Sequence, residues 1–304
     1  MSNKNTPQSF RQNFINLLAV CFVFVFIIGC VCPSGRDNED TTTDPNPKPS
    51  NKIDTTSKST TPKSTDTKND SKDKGDFKVI QSEVTNPNFK AIDAQIKKDR
   101  VLEGAAEQLN KNLMLPFDIT LTSKACDEIN AFYNPTDHSI TVCYELMDHY
   151  FKLYKSAGKT DQEAYDRMNA TIRFAFLHEV GHALIDAYKL PIMGNEEDAA
   201  DRCSAYICLE EIDNGVQFVL AAADGWNLES KYSSPSGRDM ADEHLLNEQR
   251  FYNSLCMIYG SNTSKYSNFV KDGYLPKERA EKCPYEYERT MNSWKDLLKP
   301  WRKD

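Results

Sequence analysis

The chain has 304 residues, enough for one or two domains, with 37 basic against 45 acidic side chains and a formal net charge of −8. Lys4 and Arg11 give residues 1–32 a charge of +2, residues 33–75 are neutral, and residues 76–304 hold −10 with no basic block. A domain that repels phosphate argues against general nucleic-acid binding.

In chain order, residues 14–32 read FINLLAVCFVFVFIIGCVC after a polar segment with two positive charges and no acid. A positive flank, an apolar core and small residues form the architecture of an export signal. The end of the stretch, Ile27-Ile28-Gly29-Cys30, resembles the lipobox cleaved by the lipoprotein signal peptidase. That resemblance implies that Cys30 becomes the first mature residue and carries the lipid. The alternative is an uncleaved signal anchor, since about 18 apolar residues can span a bilayer. Both readings make residues 1–32 the membrane attachment and place the rest of the chain outside the cytoplasm, on the cell envelope. Residues 33–75 are Ser, Thr, Pro, Asp, Asn and Lys almost throughout, with Ile53 the only large apolar residue. Such a segment cannot offset its ordering entropy and reads as a disordered tether, with an r.m.s. span of about 35–40 Å.

Residues 76–304 read as one folded domain. From Ala91 to Leu113 apolar residues recur at helical spacing, and Pro116 stops the run. Residues 117–121 alternate as a half-buried strand does, and 130–133 and 139–142 look like two strands around an Asn134-Pro135-Thr136-Asp137 turn. Helical patterns follow over 144–155, 161–189, 196–212, 215–225 and 243–259. A small antiparallel sheet followed by a mostly helical region is an α+β plan. Six cysteines fall in this domain, and in an oxidising compartment an even number suggests disulfides. Cys126 and Cys143 flank the expected hairpin, and Cys256 and Cys283 could pair in the C-terminal region. Cys203 and Cys208, five apart on one helix, fit buried small side chains better than a bridge.

The chemistry concentrates in Phe176-Leu177-His178-Glu179-Val180-Gly181-His182. Positions i and i+4 of a helix point the same way, so His178 and His182 can each give a nitrogen to one tetrahedral Zn²⁺. Glu179, one step round, could take a proton from bound water. A catalytic zinc needs a third protein ligand and a vacant position. The next helix, after a break at Pro191–Gly194, begins Asn195-Glu196-Glu197-Asp198-Ala199-Ala200-Asp201. Asn195 suits the cap and first-turn acids suit the positive helix end, but Asp201 lies beyond that turn. Glu197 as the third ligand, with Asp201 accepting the free N–H of a ligand histidine, gives both a role. Glu196 is the fallback ligand.

His178-Glu179-x-x-His182 followed by Glu197-x-x-x-Asp201 resembles the gluzincin, or thermolysin-like zincin, metallopeptidases, which implies a zincin-like fold. Asn130-Ala131-Phe132-Tyr133 resembles their Asn-Ala edge strand, and Asn130 and Ala131 would then align an extended substrate through backbone hydrogen bonds. The chain further resembles a bacterial family described as putative metallopeptidases. That likeness covers roughly residues 90–304 and includes Cys126, Cys143-Tyr144-Glu145, Asp242-Glu243-His244 and Gln249-Arg250-Phe251-Tyr252-Asn253. It departs from the family at Asn247, where an acid is expected, and at Cys203 and Cys208. The resemblance implies zinc-dependent peptide hydrolysis with Glu179 as base and an oxyanion donor from the protein. His244 is the first candidate donor, with Tyr232, Arg250 and Tyr252 behind it, while His138 and His149 read as plain surface residues. The competing readings are a non-catalytic zinc-binding lipoprotein that serves as an envelope scaffold, and a zincin that only binds peptides.

Overall fold

The structure is a computed structural model that describes residues 72–231 and 243–303. The apolar stretch, Cys30 and most of the tether lie outside the described residues, as does Tyr232. Among the described residues no helix is long and apolar enough to cross a membrane.

The domain is α+β. Strands β1 (Phe77–Val79), β2 (Ile119–Lys124), β3 (Ala131–Asn134) and β4 (Ser139–Cys143) form one sheet in the order β1-β2-β4-β3. The hairpin β3–β4 is antiparallel as its turn requires, but β1–β2 and β2–β4 are parallel, so the sheet is mixed. The parallel pairs arise because helices α1 (Lys90–Lys98) and α2 (Val101–Asn112) carry the chain back between β1 and β2. Three-residue β1 is too short to leave a period in the sequence.

The run expected to be one helix over 91–113 is two. Ile96 and Val101, both buried, are five apart, so one continuous helix would turn them to different faces. Arg100, in the left-handed region at φ 51°, breaks the run and lets each helix bury its own stripe.

The remaining helices are α3 (Tyr144–Ser156), α4 (Asp161–Tyr188), α5 (Glu196–Tyr206), α6 (Val216–Glu229), α7 (Asn247–Ser261), the short α8 (Asn268–Lys271) and α9 (Lys277–Ala280), and α10 (Cys283–Leu298). Helix α5 does not run on to residue 212. It passes into a π-helical turn at Ile207–Glu211 that buries Cys208.

Helix α4 is the axis of the domain. Thr160 opens it with a capping box: its hydroxyl accepts the Glu163 amide while the Glu163 carboxylate accepts the Thr160 amide. Helices α3, α5 and α6 and strands β3 and β4 pack around it, so most of its residues from Thr171 onward are buried. Cys126–Cys143 joins the loop after β2 to the end of β4, and Cys256–Cys283 joins α7 to α10. Cys203 and Cys208 are buried and unbridged.

Candidate metal centre

Gly181 decides how closely the two helices of the site approach. A methyl group there would sit 3.0 Å from the Ala200 Cα and 3.1 Å from the Cys203 Cβ. Glycine therefore lets α5 lie against α4 between its two histidines, which brings the first turn of α5 over them. Asn195 caps that turn, accepting the amides of Glu197 at 2.7 Å and Asp198 at 3.3 Å. Its Nδ2 donates to the Glu243 carbonyl at 2.6 Å, tying the segment that carries His244 to the same helix end.

Three ligand-type atoms converge there. His178 Nε2 lies 3.0 Å and His182 Nε2 3.3 Å from Glu197 Oε2, and the two nitrogens are 3.2 Å apart. Atoms bound at about 2.1 Å to a tetrahedral cation stand about 3.4 Å apart. The triangle is thus of the size one small cation would span, and its two-nitrogen, one-oxygen donor set suits a divalent metal. A second cluster, Cys126, Cys143 and Glu145, is not equivalent. Its sulfurs are joined to each other, and the Glu145 carboxylate accepts the amides of Cys126 and Asp127, both at 3.0 Å.

Each ligand-type histidine has a partner for its outer nitrogen. His178 Nδ1 is 2.8 Å from Asp201 Oδ1, and His182 Nδ1 is 2.8 Å from Glu196 Oε1. Glu196 is therefore turned to the outer side of His182 and not into the triangle. Asp201 in turn receives the Arg250 guanidinium through Nε at 2.8 Å and Nη2 at 2.6 Å, and that guanidinium lies 4.1 Å over the Trp226 ring. Arg250 is committed to the carboxylate behind His178, which removes it as an oxyanion donor. Spacing along one chain gives no hint of that pairing, because it joins α7 to α5.

The charges follow from these contacts. Burial disfavours the His178 imidazolium, but Asp201 and Glu197 outweigh it and raise its pKa to about 9. Burial also opposes ionisation of Glu197, yet the imidazoles of His178, His182 and His244 hold its carboxyl far below the usual range. Glu179, next to His178 and 7% exposed, differs from Glu197. Burial pushes its carboxyl up, while His178, His182 and the Tyr133 backbone N–H pull against the rise.

His244 reaches Glu197 Oε2 at 2.9 Å and stacks on His178 with ring centres 5.8 Å apart. Its side chain is 49% exposed, at the solvent side of the triangle. Tyr252 is exposed beside a small recess with Leu245, Gln249 and Arg279. Asn247, where an acid was expected, donates to Glu229 at 3.2 Å, and an acid there would face that carboxylate.

Strand β3 runs along the edge of the sheet against α4. The Cys143 amide donates to the Asn130 carbonyl at 3.1 Å, so the ladder's alternation turns the backbone groups of Ala131 and Tyr133 to the open edge. The strand is braced to the site helix. The Tyr133 hydroxyl donates to Asp186 Oδ2 at 2.7 Å and lies 3.0 Å from His138 Nδ1, whose ring stacks on Phe117 at 3.8 Å. His138 is thus a partnered turn residue and not a plain surface one. His149 is also partnered, its Nε2 2.8 Å from Glu229.

A helix pair that gathers two imidazoles and a carboxylate, with a buried glutamate alongside, could hold one divalent metal ion. The sequence model of one protein family, described as "Putative metallopeptidase", matches residues 81–298, and the chain belongs to that family. Comparison with curated proteins and with solved structures gives no match.

Proposed function

We propose that the chain is a zinc-dependent peptidase, held by its N-terminal segment on the outer side of a membrane. The observation that carries the peptidase reading is the convergence of His178, His182 and Glu197 beside buried Glu179. In this reading those three side chains hold the metal, and Asp201 and Glu196 fix the histidines in the tautomer that presents Nε2. The bound zinc supplies Lewis acidity and a water of lowered pKa. Glu179, its affinity for a proton raised by burial, takes the proton from the attacking water and delivers it to the leaving amine. His244 stands at the exposed side of the cluster, where its N–H can donate to the oxyanion. Ala131 and the Tyr133 carbonyl offer backbone groups to an extended peptide that adds as a strand, with Asn130 at the start of that edge and the Tyr133 N–H held by Glu179.

The test uses the purified full chain, its metal content by elemental analysis and its cleavage of casein with and without a chelator. Zinc near one equivalent, lost in His178→Ala, with cleavage that stops on chelation, is the expected outcome. Cleavage that survives chelation, or full zinc occupancy in His178→Ala, ends the proposal. The tether is supported by the apolar stretch and by the lipobox-like Ile27–Cys30 run. A fatty-acid label incorporated by the wild type and lost in Cys30→Ala is the expected result, whereas label retained by Cys30→Ala removes the lipidation site.

A further inference from the structure

On the face of α4 opposite the histidines lies a cavity of about 320 Å³, within the size range of small-molecule sites. Asn169, Ile172, Arg173 and Phe176 of α4 line it, roughly half a helical turn away from His178 and His182, so it is separate from the candidate metal centre. Helices α1 and α2 and the end of β2 close its other sides, and its walls are mainly Ile96, Val101, Leu109, Met147 and Phe218.

Two polar groups at this cavity differ in how they are placed, one enclosed behind the wall and one charged and, among the described residues, without an ion-pair partner. The Ser123 hydroxyl, in a residue 6% exposed, is the one fully buried side-chain polar atom among the described residues without a hydrogen-bond partner. Its oxygen has less than 1 Å² of accessible surface, so it lies behind the cavity wall and is not open to the cavity. Arg173 is half-buried, and among the described residues its guanidinium has no carboxylate in ion-pair reach. Its Nε donates to the Asn169 amide oxygen at 3.2 Å, and it lies 5.5 Å from the Phe218 ring centre. Burial pulls its pKa down, and the charges of Tyr165 and Asp99 only partly offset this. The other charged groups around the cavity are engaged or exposed. Lys97 pairs with Asp93 at 2.7 Å, Glu211 with Arg302, and Glu103 accepts Gln81 at 2.8 Å, while Asp213 is exposed.

We propose that this cavity binds a single-chain amphiphile with an anionic head, of the fatty-acid carboxylate class. The alkyl chain lies along the apolar walls and the carboxylate pairs with Arg173. A neutral chain fills the same space but leaves the guanidinium unpaired. A cationic chain sets like charge against it.

The experiment is calorimetric titration of the full chain with sodium dodecanoate, dodecan-1-ol and dodecylammonium chloride, the two salts below their micellar concentrations and the alcohol below its solubility limit. Dodecanoate is expected to bind at one site per chain, at least tenfold more tightly than the ammonium compound. Arg173→Met should weaken dodecanoate at least tenfold and dodecanol less than threefold. Ile172→Trp, which fills the cavity, should abolish both. Gly104→Phe at the rim, where an added Cβ meets nothing within 4 Å, reports the same blockade should Ile172→Trp not fold. Absence of saturable binding by the wild type, preference for the ammonium compound, or dodecanoate affinity unchanged in Arg173→Met overturns the proposal.

Discussion

Two arginine–aspartate systems pack against helix α4, one near its start and one behind His178, and they differ in what the aspartate does next. Near its start, Arg167 pairs with Asp224 of α6 through a single contact of 2.9 Å. Farther along, Asp201 takes two contacts from Arg250 and passes its charge on to His178. Burial raises the Asp224 carboxyl even though Arg167 opposes the rise. Burial acts the same way on Asp201, but Arg250 and His178 together hold its carboxyl well below the ordinary carboxylate range. An ion pair with one partner is a clamp between helices. An aspartate between an arginine and an imidazole becomes an orienting group, because the second partner is itself part of a site.

The largest effects expected from breaking this contrast fall at the site end. Glu179→Gln should retain metal and lose turnover by about 10²–10⁴-fold, the usual contribution of a general base, read as kcat on a fluorogenic peptide. Asp201→Asn leaves His178 without its anionic partner and should weaken metal affinity about 10–100-fold, measured by competition with a chelating dye. Near the start of α4, Arg167→Met leaves Asp224 buried without its hydrogen-bonded arginine, with only the charges of Lys159 and Lys231 to offset it. It should cost about 3–5 kcal/mol in urea unfolding while the folded fraction keeps its metal affinity.

Acid sharpens the same contrast. Asp201, with its folded pKa depressed, contributes stability that is present above the unfolded value and is lost as pH falls toward the folded one. Asp224, with its folded pKa raised, has the opposite sign: its favourable contribution is present at low pH and is lost as pH rises through the folded value. Asp201→Asn and Asp224→Asn should therefore change the slope of stability against pH in opposite senses. Urea midpoints at about pH 2.5 and pH 7, either side of the unfolded carboxylate value, measure this, and parallel slopes would contradict it.

What could be read from the sequence was local. His178 and His182 share a helix face by period alone, and Glu197 and Asp201 repeat that spacing on a helix whose cap, Asn195, directly follows the Pro191–Gly194 break. The Cys126–Cys143 pairing followed from a hairpin. What stayed hidden depends on contacts between elements far apart in the chain. Arg250 behind Asp201 is 49 residues away, and Tyr133 on Asp186 is 53 away. Glu196 was weighed as a ligand because its position in the first turn resembles that of Glu197, and only the packing permitted by Gly181 turns it to the outside of His182. The helix break at Arg100 was legible in principle, in the five-residue step from Ile96 to Val101.

The smallest effect concerns the brace of the edge strand. Asp186 lies one turn beyond His182 on α4, and Tyr133 joins it to β3. If β3 aligns substrate, loosening this strut blurs the position of the peptide relative to Glu179 without touching the metal triangle. Tyr133→Phe removes one hydroxyl and leaves the ring, so a stability loss of about 1 kcal/mol is expected from the missing hydrogen bond. KM should rise several-fold, kcat should fall less, and zinc content should stay constant. Asp186→Asn keeps an acceptor for the same hydroxyl and should fall between Tyr133→Phe and wild type. If both variants instead lose zinc in proportion to activity, the strut supports the metal helix itself, and the edge strand has no separate part in holding the peptide.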